Sequence, residues 1–343
     1  MAINLAVKYS DKIASMYTIG SLVADKTSKE WDFSGVRSVK IYTPQTVEPV
    51  DYLRSGTSRY GAPAEMADVV QELSMSQDKS FSLIIDKGNN SEQALTKNAG
   101  KMLKLQTNER MVPMVDKYAL GQFSKFAGTA KYVTKPTKAT IIADIGDACA
   151  VLDDACVPMA DRYLYITGEM YNLLRQTGEF LGIDSLGEKA LAKGIVGEVF
   201  GMKVVKVPSS YMPAGVYFIV THKEAVIVPY KIRDAKVHKD PPGISGALLE
   251  GRSNFDAFVI GARCLGVYAA IDSSKAVAAP EISVSSGKVS ITASGDAYYT
   301  TDGTDPRYSD SAVKYGAAFD EIEGAVVKAY AVSGGFCSPV AVK

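Results

Sequence analysis

The sequence predicts a mixed α+β protein closed by a small C-terminal β-sandwich. Residues 90–128 keep a helical period of apolar residues, far longer than an ordinary globular helix. Between about residues 129 and 271, short strands and helices interleave without a repeated βαβ rhythm. Near Asp272 the composition changes, and almost every later segment alternates like a strand.

The long stretch organises the rest. Asn90 stands where an N-cap would, with Gln93 at the third helical position, and Gly128 supplies a stop. Met102, Met111, Val115, Ala119 and Phe123 recur at steps that put them on one face, so that face is expected to be buried. At about 1.5 Å per residue the rod would be roughly 55 Å long. Pro113 should kink it, because proline lacks a backbone donor and clashes with the carbonyl four residues earlier.

Ahead of this spine, residues 1–30 read as an arm with an amphipathic candidate at 9–22. After Trp31 the pattern alternates at 38–43, and a second strand-like run lies at 81–85. The two runs are expected to pair as an extended hairpin spanning residues 31–86, with a polar tip rich in Gly, Ser, Arg and Pro at 54–63. A connection of that length usually reaches a partner, so Trp31, Arg54, Arg59 and Tyr60 are candidate assembly contacts.

After the spine, residues 140–156 form a helix ended by Val157 and Pro158. A strand at 162–167 and a helix at 169–176 follow, then a glycine-rich loop passage at 178–201 that includes Gly194 and Gly197. Strands are expected at 202–207, 216–220 and 225–229, a strand and turn over 230–250, and an apolar strand region at 256–271 bent by Gly261 and Gly266. Residues 273–279 read as a linker. Beyond it, runs at 282–284, 289–293, 297–301, 326–332 and 340–342 predict a sandwich over 280–343 with its own core.

Composition excludes several classes. In 343 residues, 47% are apolar and 22% charged, with 38 basic against 38 acidic side chains, so no overall basic field marks a nucleic-acid binder. Cys149 and Cys156 would lie about 10 Å apart along one helix, too far for a disulfide, and all four cysteines read as reduced thiols. The first residues lack a charged region followed by an apolar run, and no stretch reaches membrane-spanning length, so a cytosolic, membrane-free chain is expected.

No catalytic, cofactor or metal site is legible. The glycines from Gly194 to Gly201 precede Lys203, but Val204 follows it in a strand, which fails the phosphate-loop pattern. His222 and His238 have no nucleophile or ligand partners at a useful spacing. Asp302, Gly303, Asp305 and Pro306 are better read as a tight turn than as a calcium loop, since no glutamate closes the run.

Taken in order, arm, hairpin, spine helix, mixed domain and terminal β region resemble the major capsid proteins of tailed bacteriophages, the Hong Kong 97-type fold. The passage from Gly194 to Pro208, and the run from Pro241 to Val259, carry the local likeness, and Gly194 and Gly197 join Trp31, Arg54, Arg59 and Tyr60 as candidate assembly residues. On that resemblance residues 31–86 are the loop laid over a neighbouring subunit, 140–228 the axial domain, and 230–271 a return to the peripheral domain. It implies subunits that assemble with themselves into hexamers and pentamers in the host cytoplasm, a separate scaffolding protein, a portal, and a virion enclosing double-stranded DNA without sequence readout. The segment 297–306, with Tyr315, Gly316 and residues 326–332, resembles the immunoglobulin-like C-terminal module of chitobiase and β-hexosaminidase. That implies an accessory sandwich displayed outside the shell, with glycan or host-surface contact as one use; the linker and separate core lead to the expectation that removing residues 278–343 leaves assembly intact. Tyr298, Tyr299 and Tyr308 are the aromatics available to stack on a sugar, but aromatics in a sandwich more often belong to its core. A cargo-enclosing bacterial shell of the same fold and a glycan-binding adhesion protein are the alternatives, and an enzyme is not expected.

Overall fold

The computed structural model describes residues 20–343, except 32, 34–37, 64, 93–97 and 178–194. The helix candidate at 9–22 and Gly194 therefore lie outside or almost outside the described residues.

The arm's last part is docked. Leu22 and Val23 are buried, and Ser28 bridges to Ile227 beyond a 3-10 turn at Ala24–Lys26. Strand β1 (Ser38–Pro44) pairs along its whole length with β2 (Asp68–Ser74), a strand the sequence reading missed. The hairpin thus closes on residues 68–74. The expected partner, the run at 81–85, belongs to β3 (Gln77–Asp86), which pairs elsewhere.

The spine is broken. Asn90 lies inside a short helix, α1 (Lys87–Glu92), and Gln93 falls outside the described residues. The cap that forms is Asn98, extended at φ −83°, whose side chain accepts from the Gly100 and Lys101 amides at the start of α2 (Ala99–Gln106). From there the helix continues through one π turn at Thr107–Met111 into α3 (Val112–Lys125). Pro113 explains that turn: its ring would strike the Glu109 carbonyl of a regular helix, and the wider π turn, closed by Val112 N–H on the Thr107 carbonyl, makes room. Gly128 is no left-handed cap. Its amide donates to the Cys264 carbonyl at 3.2 Å, and a Cβ there would sit 2.2 Å from that oxygen.

Six strands form the central sheet. They are β4 (Thr129–Val133), β5 (Arg162–Thr167), β6 (Ile195–Val199), β7 (Met202–Val207), β8 (Val216–His222) and, after shorter elements, residues 267–272. The spatial order runs β4, 267–272, β8, β5, β7, β6, with parallel pairs at β5–β7 and at β4 against residues 267–272. Helices cover both faces: α3 on one, α4 (Ile141–Asp154) and α5 (Gly168–Gln176) on the other. Hence β5 is buried from Arg162 to Ile166. Tyr163 and Tyr165 face Ala119, Leu120 and Phe123 of α3, while Leu164 and Ile166 face Ile145, Leu152 and Met170.

Helix α4 stops two residues short of the expected Cys156. Cys156 adopts φ 55° just past it, with its amide on the Asp153 carbonyl and the Val157 amide on that of Leu152. Buried Arg162 holds this end, donating to the Pro158 and Val157 carbonyls and pairing with Asp153 at 2.7 Å. All four cysteines are free thiols.

The stretch expected to return as one unit divides. After β9 (Val226–Ile227), β10 (Tyr230–Lys239) and β11 (Gly246–Phe255) form a three-stranded antiparallel sheet in which β11 lies between β10 and β3. Gly251 faces Phe81, whose ring occupies the space a Cβ would need. The region 256–271, expected as strand, becomes β12 (Phe258–Val259), a 3-10 turn at Gly261–Gly266, and β13 (Val267–Asp272) in the central sheet.

The last sixty residues form two facing sheets. One joins β14 (Glu281–Ser285), β15 (Lys288–Thr292) and, later in the chain, Phe319–Asp320. The other contains β16 (Asp296–Thr300), β17 (Val313–Lys314), then β19 (Lys328–Ser333), β20 (Phe336–Cys337) and β21 (Ala341–Val342), with Phe319–Asp320 counted as β18. Ile291, Ala297 and Ala329 make a small core of its own. The core is not separate, however: Tyr308, Ala331 and Phe336 join the cluster built by α3 and the central sheet.

Helix α3 also holds the N-terminal segment through Asp116, which accepts Ser21 Oγ and the Leu22 amide, each at 2.7 Å. Burial raises the Asp116 pKa above the usual carboxylate value against these hydrogen bonds, so the folded chain binds its proton more tightly than the unfolded chain. Its contribution to stability therefore grows as pH falls through the raised folded pKa and shrinks above it. Asp116→Ala is expected to cost about 1–3 kcal/mol by leaving the buried Leu22 amide without an acceptor. Asp116→Asn, which can accept from Leu22 and donate to Ser21, should cost little, and wild type should gain on it between about pH 7 and about pH 4 in urea unfolding. Gly128→Ala should cost at least about 2 kcal/mol in the same measurement, because its Cβ meets fixed backbone.

Candidate assembly site

Among the described residues, the most exposed large apolar side chains gather on the hairpin of β1 and β2. Its root is anchored by Phe33, Ile41, Leu73, Ile227 and Ile260, with Trp31, Val39 and Met75 around them. Gln71 ties this root to the body twice, donating to the Val259 carbonyl at 2.9 Å and accepting the Gly261 amide at 2.8 Å. Where β2 turns into β3, Asp256 accepts the Ser76 amide at 2.7 Å and the Tyr118 hydroxyl at 2.9 Å. The hairpin therefore leaves a braced base.

Beyond the Gln45 amide on the Ala67 carbonyl, the ladder ends and residues 45–67 form the tip. The tip closes on itself. Leu53 N–H donates to the Arg59 carbonyl at 3.0 Å, Arg59 Nε to that of Gly56 at 3.2 Å, and Gly56 takes φ 100° to make the turn. Tyr52 and Tyr60 meet edge to face at 5.1 Å. This ordered turn leaves Val47, Val50, Tyr52, Leu53, Tyr60 and Met66 exposed, Tyr60 at 85%. These apolar side chains face solvent together at the end of the hairpin.

Of the residues picked from sequence, Arg54, Arg59 and Tyr60 lie together in this exposed tip. Trp31 does not: it sits at the hairpin root, with the Arg263 guanidinium 5.7 Å over its ring and Arg263 paired to Glu30 at 3.0 Å. Gly197 is buried in β6 beside a bulge against β7. The apolar tip residues Val47, Val50, Leu53 and Met66 were missed, although apolar side chains among Pro, Gly and Glu without any period were a readable signal.

The turn at 302–306 is built as a loop with its own bonds. Asp302 accepts the Thr304 amide at 3.0 Å, the Thr304 hydroxyl at 2.6 Å and Ser311 Oγ at 2.7 Å, which together outweigh burial and lower its pKa. Gly303 has φ 74° and Pro306 is buried. Asp305 caps the Arg307 amide and pairs with its guanidinium at 2.8 Å. Tyr308 is buried against α3, Tyr298 stacks on Tyr330, and Tyr299 stacks on Phe319 at 4.4 Å, so these rings are engaged within the chain.

His222 accepts the Glu224 amide through Nδ1, and burial lowers its pKa. His238 pairs with Glu250 at 3.2 Å across β10 and β11. Among the described residues no cluster of His, Cys, Asp and Glu is arranged to hold a metal, and no helix is long and apolar enough to cross a membrane.

With an extended hairpin, a helix through a π turn beside a long three-stranded sheet, and a mixed sheet covered by helices, the chain has the fold of solved phage capsid chains, the Hong Kong 97-type fold. A chain of Mycobacterium phage Che8 superposes with TM-score 0.63 at 20% identity, over 78% of this chain and 98% of that one. The capsid structure of cyanophage P-SCSP1u gives 0.62 at 13% identity, over 79% and 93%. The mature capsid of bacteriophage PhiM1 gives 0.59 at 11%, over 78% and 92%. Residues 289–343 match the family model described as Fn3 associated, consistent with the immunoglobulin-like sandwich there. No curated protein matches the chain in sequence.

Trp31→Ala is expected to destabilise the chain by about 1–3 kcal/mol in denaturant unfolding, since the half-buried ring supports the hairpin root.

Proposed function

We propose that this chain is a major capsid subunit of a bacteriophage, assembling with copies of itself into the capsomers of a closed shell. The exposed apolar hairpin tip carries the reading. Burying Val47, Val50, Tyr52, Leu53, Tyr60 and Met66 takes a surface that the described residues of this chain do not offer them, and a neighbouring copy of the same fold is the partner that repeats it at every position of a shell. The tip is ordered before it docks, which reduces the entropy lost on association. Arg54 and Arg59, beside the apolar surface, would set register through rim contacts.

Hexamers and pentamers, a separate scaffolding protein, a portal and double-stranded DNA held by volume and general charge belong to this proposal, as does a virion assembled in the host cytoplasm. The likeness of fold over more than three quarters of the chain supports it. The sequence-level alternatives, a cargo shell and a glycan adhesin, keep no observation that favours them over it.

Negative-stain microscopy of the expressed chain, with and without candidate scaffolding protein, tests the reading. Rings of five or six subunits or closed shells are expected; a monomer that persists at high concentration under both conditions would overturn it. Deleting residues 54–63 should abolish rings and shells while leaving the circular-dichroism spectrum and the unfolding midpoint of the subunit within error of wild type.

A further inference from the structure

We propose that the C-terminal sandwich is an internal strut that fixes the direction of the β1–β2 hairpin, rather than an appendage carried by the shell subunit. The module is seated at three places. At the end of α3, the Tyr308 hydroxyl donates to the Phe126 carbonyl at 2.7 Å and Arg307 to that of Ala127 at 3.1 Å. These carbonyls belong to a helix end, where no further turn supplies donors, so the module provides them. Asp305 orients the guanidinium, and against burial its hydrogen bonds hold the Arg307 pKa up.

The second seat is the hairpin itself. Asp310 N–H donates to the Val70 carbonyl on β2 at 3.0 Å, and its carboxylate pairs with Lys40 of β1 at 3.2 Å. One loop, residues 305–310, thus joins the end of α3 to both hairpin strands, and it covers an edge of β2 that would otherwise be open. On the far side the Tyr132 hydroxyl of β4 donates to the Cys337 carbonyl at 3.3 Å. Gly261 completes the seat. A Cβ there would lie 2.6 Å from Tyr308 Cβ, while Gly261 N–H is the donor to Gln71 of the hairpin root. Module, hairpin root and body meet at that one residue.

The leverage is large. A seven-residue strand spans about 23 Å, so a tilt of about 10° at its root moves the start of the tip by about 4 Å, close to one strand spacing. That this angle governs shell geometry rests on the capsid reading; that the module holds it is a property of the single subunit.

Hydrogen exchange read by mass spectrometry on the unassembled full-length chain tests the strut. Two variants loosen the seat by different means: Arg307→Ala with Tyr308→Ala removes the contacts, and Gly261→Ala wedges the module away. Lys314→Ala, at an exposed ion pair on β17, is the control. In both seat variants, exchange at residues 38–44 and 68–74 is expected to rise at least about fivefold together with that at 307–310, while β5 and β8 keep wild-type rates. Increased exchange at 307–310 with an unchanged hairpin would overturn the proposal. So would unchanged exchange everywhere in both variants, or a rise in β5 and β8 as large as that in the hairpin. Failure of wild type to form shells would count against the capsid reading alone, because the exchange result concerns the free subunit.

Discussion

The end of α3 is the constraint on which the remaining architecture rests. A helix terminus leaves carbonyls without intrahelical donors, and burying them unpaired would cost about 1–3 kcal/mol each. Here the two carbonyls just beyond α3 receive donors from a loop some 180 residues later, and the following glycine presses against the Cys264 backbone. Satisfying that one helix end therefore brings together the spine, the turn leading into β13 and the C-terminal sandwich.

The same helix serves three other attachments. Its apolar face closes one side of the central sheet, Asp116 fixes the N-terminal segment, and Tyr118 holds Asp256 at the corner between hairpin and three-stranded sheet. The hub thus ties the N-terminal segment, the central sheet and the hairpin corner to one helix. The tip can then stay apolar and exposed because its own turn, Leu53 to Arg59, and the Tyr52–Tyr60 contact order it in advance.

The sandwich keeps the strand pattern of an accessory module, yet its role in this chain is set by a few loop residues. Asp305, Arg307, Tyr308 and Asp310 face the body, and Tyr299 and Tyr298 are engaged with aromatic neighbours inside the module. Family likeness spoke to the sandwich itself and could not speak to its seat, because the seat depends on the surface across from it.

What the sequence by itself determined was local. The apolar period of α3, the alternation in β1, the buried run of β5, the strands of the sandwich and the disturbance at Pro113 all follow from spacing and backbone chemistry within one segment. Tertiary structure decided what spacing cannot encode. Residues 81–85 and 38–43 both read as strands, but β3 pairs with β11, where Gly251 leaves room for Phe81, and β1 takes β2. Asn90 and Asn98 are both plausible caps by type, and only the path of the chain selected Asn98. Gly128 and Gly261, legible as a stop and a bend, are instead points where other parts of the chain come too close for a Cβ. Local sequence sets the conformations a segment favours; which segments meet is chosen by the packing and hydrogen bonding of the whole chain.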